Sequence, residues 1–196
     1  MRTRRILLAS DSPRRSELLR EAGLPFLRVR PGRERAGGSL APAARAVALA
    51  GAKARGAQLL GESGLLLAAD TVVATGEELL GKPRDREAAR RCLARLRGRR
   101  HEVWTAVVTC PVLEGRFEEG SLEEVVIRSL VEMRRIPAED LERYLDSGEW
   151  RGKAGGYGIQ GPAADFMKLV EGPLDNVIGL PLDAVRAAFD RYLRTS

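Results

Sequence analysis

Arg5-Ile6-Leu7-Leu8-Ala9-Ser10, followed by Ser12-Pro13-Arg14-Arg15-Ser16-Glu17-Leu18-Leu19-Arg20-Glu21-Ala22-Gly23, sets the fold class of this chain. The first stretch is a short unbroken apolar run, the pattern of a strand buried on both faces. The second has Ser12 as N-cap, Pro13 in the first turn and Gly23 at the close, the start and stop signals of a helix. Working outward, residues 26–30 form a second short strand, and residues 31–39 a Gly- and Arg-rich loop without apolar period. Residues 43–60 have helical spacing and present Lys53 beside the apolar face. Leu65-Leu66-Leu67-Ala68-Ala69-Asp70-Thr71-Val72-Val73-Ala74 is the most apolar run, interrupted only by Asp70 and Thr71. Beyond a turn at Gly81-Lys82-Pro83, residues 85–96 make an amphipathic helix capped by Asp85, and residues 103–113 and 123–132 alternate as a long hairpin. Residues 137–145 make a short helix, 166–170 a last strand and 182–193 a final amphipathic helix. Strands and helices that alternate and then give way to a hairpin predict an α/β fold with a mixed sheet. Without repeats or a Pro-, Gly- or Ser-rich linker, residues 1–196 are expected to form one domain.

At 196 residues, 44% hydrophobic and 31% charged, the chain has enough apolar material for a core without disulfides or a structural metal. Cys92 and Cys110 make no CxxC, so reduced thiols and a cytoplasmic setting are expected. No run approaches the ~18 apolar residues of a membrane span, and residues 1–10 reach a polar turn too soon for a secretory signal. A net charge of +6 favours polyanionic ligands, nucleic acid first among them. Aromatic residues are only 5% of the chain and do not interleave with basic ones as base stacking needs, so nucleic acid is not the expected partner. Only four of the 33 basic side chains are Lys, namely Lys53, Lys82, Lys153 and Lys168. In so Arg-biased a chain, Lys is expected where a compact ammonium is wanted.

Three familiar motifs fail on inspection. Gly76-Glu77-Glu78-Leu79-Leu80-Gly81-Lys82-Pro83 begins like a P-loop, but Pro83 stands where Ser or Thr should meet magnesium. Gly156-Tyr157-Gly158-Ile159-Gln160-Gly161 spells GxGxxG without the preceding strand a dinucleotide site requires. A Ser-His-Asp triad would need His101, the only histidine, which sits between Arg100 and Glu102 and reads as a surface or strand-end residue.

Two constellations survive. Arg14 and Arg15 stand in a first helical turn, where the positive dipole end already favours an anion and where cations are unfavourable unless an anion binds. The competing reading is two solvated arginines. Asp70 closes a run of five apolar residues, and a carboxylate there must be paired, hydrogen-bonded or bound to metal. Glu34, in the loop after the second strand, is a candidate second metal ligand, with an exposed loop glutamate as its plain alternative. Arg14, Arg15, Lys53 and Lys82 as a phosphate grip facing an acidic site at Asp70 are the parts that phosphoryl chemistry uses.

The order of these motifs resembles the Maf-like nucleoside triphosphate pyrophosphatases. The match runs through Leu7 to Arg15, Leu49-Ala50-Gly51-Ala52-Lys53-Ala54, Ala69 to Val73, Gly81-Lys82-Pro83, Ser147-Gly148-Glu149, Lys153 to Gly161 and Asn176 to Leu182. The resemblance implies cleavage of a nucleoside triphosphate to monophosphate and pyrophosphate with a divalent cation, Mg2+ or Mn2+. It also implies a cytoplasmic homodimer, an elongated mixed sheet flanked by helices, and two lobes around a nucleotide cleft. Asp70 falls on the family's catalytic acidic position. The Lys153 to Gly161 segment looks like the branch acting on dTTP and UTP, in which the positions matching Arg14, Thr71 and Gln160 are tied to base choice. Uracil and thymine offer an acceptor at O4 and a donor at N3, which the Gln160 amide can meet if its neighbours fix its orientation. The chain departs from the branch at Gly152, where Asp is common, and at Pro173-Leu174-Asp175 before Asn176. The alternative is a regulatory, non-catalytic binder of nucleic acid or of a division protein.

Overall fold

The computed structural model describes residues 4–33 and 39–195. Strand β1 (Ile6–Ala9) is buried at every position, as its unbroken apolar run requires, and lies between two parallel neighbours, β2 (Phe26–Val29) and β3 (Gly64–Thr75). Helices α1 (Pro13–Glu21) and α2 (Pro42–Arg55) make the crossovers. They cover opposite faces because side chains alternate along the strands. Ile6, Leu8, Leu65, Leu67 and Ala69 pack with Leu18 and Leu19 of α1 and with Val185 and Phe189 of the last helix. Leu7, Ala9, Leu66, Ala68 and Val72 pack with Ala46, Ala50 and Ala54 of α2.

The remaining strands are antiparallel: β4 (Glu78–Leu80), β5 (Arg99–Val112), β6 (Glu123–Met133) and β7 (Met167–Glu171). The sheet order is β2-β1-β3-β5-β6-β7, with β4 also on β3. Helices α3 (Arg86–Leu96) and α4 (Ala138–Ser147) enclose a third apolar core with Val73, Val103, Val131 and Met133. Arg86 and Arg90 of α3 both donate to Glu142 of α4. Two helices complete the chain, the short α5 (Leu174–Ile178) leading into the longer α6 (Leu182–Arg194).

The lengths of the strands create an opening. β5 takes one edge of β3 from Gly64 to Ala74. On the other edge the ladder with β1 ends at Ala68 and the ladder with β4 begins at Val73. Ala69, Asp70, Thr71 and Val72 therefore have no strand partner on that edge among the described residues.

The mixed α/β sheet matches the sequence reading, with corrections at several ends. The helix expected over residues 43–60 stops at Arg55 because the chain after β2 closes on its end. A Cβ on Gly56 would meet Gly32 Cα at 2.7 Å, and Gly32 N–H donates to the carbonyl of Lys53 at 2.9 Å, satisfying one of the helix's terminal acceptors. Ser12 stands at the N-cap of α1 but its side chain makes no capping bond. Asp85 does cap α3, accepting from Ala88 N–H at 2.6 Å. The three-residue β4 and five-residue α5 were not expected, being too short to show a period.

His101 corrects its surface reading most clearly. It stands near the start of β5 yet is 1% exposed, with Nε2 2.6 Å from the Tyr157 hydroxyl. Burial pushes its pKa down from 6.5 to about 4. Between those values the unfolded chain binds a proton that the folded chain does not, so stability rises with pH across the window. The contribution is complete above about pH 6.5 and is lost as pH falls through about 4, and it amounts to ~3 kcal/mol. Urea unfolding measured from pH 7 to pH 4 should show this decline, and His101→Gln should flatten it.

Candidate active site

A cleft of about 980 Å³ lies over the open edge of β3. Ligand pockets of this size hold drug-sized molecules. Its walls are the turn from Ser10 to Arg15 at the C-terminal end of β1, the chain from Arg30 to Arg33 after β2, Lys82, the segment from Glu149 to Gly161, and Val177 to Gly179. Asp70 and Thr71 form part of its floor.

Alternation along β3 sends these two neighbours to opposite faces. Asp70 points to the α2 side, where the last turn of α2 supplies Lys53. Lys53 Nζ donates to Asp70 Oδ1 and lies 3.5 Å from the carbonyl of Ala69, in the stretch that has no ladder partner on its open edge. Both side chains are buried, Lys53 at 6% and Asp70 at 5% exposure. Each charge offsets part of the desolvation cost of the other.

Thr71 points to the α1 side. Its Oγ1 is 2.9 Å from Thr105 Oγ1 across the β3–β5 ladder and 3.3 Å from Arg15 Nη2. Arg15 also donates through Nε to the carbonyl of Gly179 at 2.8 Å and through Nη1 to Ser10 Oγ at 3.0 Å. The two arginines expected side by side in an anion grip are thus separated. Arg15 is buried in the wall as a brace between α1, β3 and the α5–α6 turn. Arg14 is half-buried in the cleft wall, with Nε 3.4 Å from the carbonyl of Ile178. Burial lowers its pKa, against the opposing influence of Glu17 and Glu149.

Lys82 and Gln160 line the cleft with exposed side chains. The P-loop-like run passes through the β3–β4 turn, and α3 starts at Arg86, so no helix opens at Lys82. Gln160 belongs to the glycine-rich segment, which the His101–Tyr157 contact ties to β5. Glu34 lies outside the described residues. Among the described residues no three His, Cys, Asp or Glu side chains gather as a metal cluster.

Two polar residues of the cleft, Glu149 and Lys153, stood in the matched motifs but were given no role from sequence. Lys153 Nζ donates to Glu149 Oε2 at 2.9 Å and to the Glu149 carbonyl, which sets an ion pair in the wall. The scarcity of lysine was the available signal: Lys53, Lys82 and Lys153 line the cleft, while Lys168 is exposed on β7.

The Maf-like protein family matches residues 5–192 of this sequence. The chain belongs to that family. Among its Maf-like relatives, the dTTP/UTP pyrophosphatase of Novosphingobium aromaticivorans is 42% identical over 183 residues, covering 92% of this chain and 88% of its own. Proteins with the same name from Brucella abortus and Rhodopseudomonas palustris are 44% and 43% identical, each over 91% of this chain and 86% and 87% of their own.

The buried pair yields a test. Asp70→Asn removes the carboxylate charge that faces the Lys53 ammonium, and Lys53→Met removes the ammonium that faces the carboxylate. Each is expected to destabilise by ~3–5 kcal/mol. The double variant should recover most of that loss, a coupling that urea unfolding of all four proteins measures directly.

Proposed function

We propose that this chain is a nucleoside triphosphate pyrophosphatase that hydrolyses dTTP and UTP to the monophosphate and pyrophosphate. In the cell this activity would clear nucleotide pools, modified pyrimidine nucleotides included. The reading is carried by the buried Lys53–Asp70 pair on the floor of a cleft lined with cations, in a chain whose relatives are named for that reaction. A non-catalytic binder of nucleic acid or of a division protein has no use for a buried carboxylate in such a cleft, so that alternative is not favoured. We further propose that residues 1–196 act as one domain, in the cytoplasm and as a homodimer, with the α3–α4 core as the second lobe. No helix among the described residues is long and apolar enough to cross a membrane.

The triphosphate enters a cleft of matching charge. Arg14 and Lys82 grip phosphate oxygens, while Arg15 and Lys53 add positive charge from the wall and floor. Asp70, held in one orientation by Lys53, accepts a hydrogen bond from the water that attacks the α-phosphorus in line with the departing pyrophosphate. Charge builds on the bridging oxygen as that bond breaks, and the fixed ammonium and guanidinium groups meet it without reorganising.

Mg2+ or Mn2+ suits a cleft in which the Asp70 carboxylate lies beside cations that would hold phosphates. Such ions are held by one or two carboxylates together with substrate phosphates, so they do not need a cage made by the protein alone. Asp70 would hold the cation with Glu34 as a second ligand, and the ion would supply charge neutralisation and a more acidic water. For base choice, the Gln160 amide N–H donates to O4 of uracil or thymine, with Arg14 and Thr71 as the other specificity positions.

The pure protein, incubated with a panel of nucleoside triphosphates and Mg2+, should convert dTTP and UTP to monophosphate and pyrophosphate. Release of orthophosphate alone overturns the assignment. Asp70→Asn should lose more than about a hundredfold in turnover. Gln160→Glu sets a carboxylate against O4, and the kcat/KM ratio of UTP to CTP should fall by an amount equivalent to ~1–3 kcal/mol.

A further inference from the structure

Thr71 belongs to a chain of hydrogen bonds whose direction the structure determines. At its inner end is the backbone carbonyl of Asn176, in α5, which can only accept. Thr105 Oγ1 lies 2.9 Å from that carbonyl, and Thr105 is fully buried. Thr105 has a single hydroxyl proton, and giving it to the carbonyl satisfies a buried acceptor that would otherwise lose this donor. Toward Thr71, at 2.9 Å, Thr105 then has only lone pairs to offer. The proton between the two threonines must come from Thr71. At the outer end, Arg15 Nη2 donates to Thr71 Oγ1 at 3.3 Å, and a guanidinium never accepts. The Thr71 hydroxyl has spent its one proton inward and has one lone pair occupied by Arg15. What it can turn to the cleft is a lone pair.

Asn176 holds the inner end of the chain in place. Its side chain is 0% exposed, with Nδ2 donating to the carbonyl of Val103 at 3.1 Å and to Ser129 Oγ at 2.9 Å. The acceptor that fixes the polarity of Thr105 is therefore pinned between β5 and β6.

We propose that Thr105 is a specificity-determining positioning residue: by taking the proton of Thr71, it makes Thr71 an obligate acceptor in the cleft and so selects bases that carry N3–H over cytosine. The inference rests on the dTTP/UTP reading and names the device behind its base choice. With the Gln160 amide N–H on O4, N3–H is the remaining donor on that edge of uracil and thymine. Cytosine has a lone pair at N3, which would face another lone pair on Thr71.

Three variants test this through the ratio of kcat/KM for UTP over CTP. Thr105→Val keeps the volume and removes the acceptor, so the Thr71 hydroxyl is released to donate to cytosine N3. The ratio should fall about tenfold or more, with CTP gaining in absolute terms. Thr105→Ser restores a hydroxyl on the same carbonyl and should keep the ratio within about threefold of the parent. Thr71→Val, which does not disturb Thr105's bond to Asn176, should lower UTP turnover and leave CTP turnover equal or higher. A Thr105→Val ratio equal to the parent's, or a Thr105→Ser ratio as low as that of Thr105→Val, overturns the proposal. If Thr105→Val does not fold, Thr71→Val decides: a greater loss for CTP than for UTP means Thr71 donates to the base, and the proposal is wrong. A Thr71→Val variant that changes all nucleotides equally removes Thr71 from the base pocket, and a parent protein inactive on both UTP and dTTP refutes the underlying reading. Either result takes the proposal with it, and both are distinguishable from a failure of the hydrogen-bond chain alone.

Discussion

A strand that outruns its neighbour governs this molecule. β3 continues beyond the end of β1, and four of its residues face an opening before β4 closes the edge again. A sheet edge inside a protein has to satisfy its backbone groups and also be kept from pairing with another chain. Here Lys53 approaches the carbonyl of Ala69, while the β1–α1 turn, the chain after β2 and the glycine-rich segment stand around the opening. The cleft is a consequence of strand length. Asp70 and Thr71 are in it because they occupy the positions on β3 where β1 has already ended.

Alternation then divides the labour between two adjacent residues. One face receives the charged pair of Asp70 and Lys53, and the other receives the neutral chain of Thr71, Thr105 and Asn176 with Arg15 at its outer end. Under the proposed function the two systems would meet different parts of a nucleotide while sharing a single strand. This keeps an ion pair with strong local fields apart from the weaker, directional hydrogen bonds of the neutral chain. It also explains why the chain spends scarce lysines here: a planar guanidinium has no compact point charge to set against Asp70 Oδ1 in so small a buried space.

Much of this was legible from residues alone, because the signals were local. The unbroken Ile6 to Ala9 run, the Pro13 start of α1 and the alternation of the β5–β6 hairpin each depend on sequence neighbours. Asp70 was visible as an acid at the end of an apolar run. What escaped depends on distance along the chain. Arg15 looked like an exposed cation of a first turn, and its burial follows from the carbonyl of Gly179, 164 positions later. His101 read as a surface or strand-end residue; it does stand near the start of β5, but its burial depends on Tyr157, 56 positions away in a segment with no period. The Glu149–Lys153 pair lies in that same segment, where glycines remove the pattern that would place side chains on a face. The family resemblance supplied Gln160 and Thr71, and the register of β3 against β5 supplied Thr105, which no motif marks.

The segment that carries Lys153 and Gln160 is fastened to the sheet by its middle, where Tyr157 meets His101, while Gln160 itself is exposed at the cleft. Anchoring of this kind gives the two ends different evolutionary fates. Residues at the anchor are bound to the strand behind them and can change only in step with it, whereas the exposed Gln160 side chain can be exchanged without disturbing a single strand pairing. A lineage can therefore alter the rim of the cleft and leave its floor as it stands.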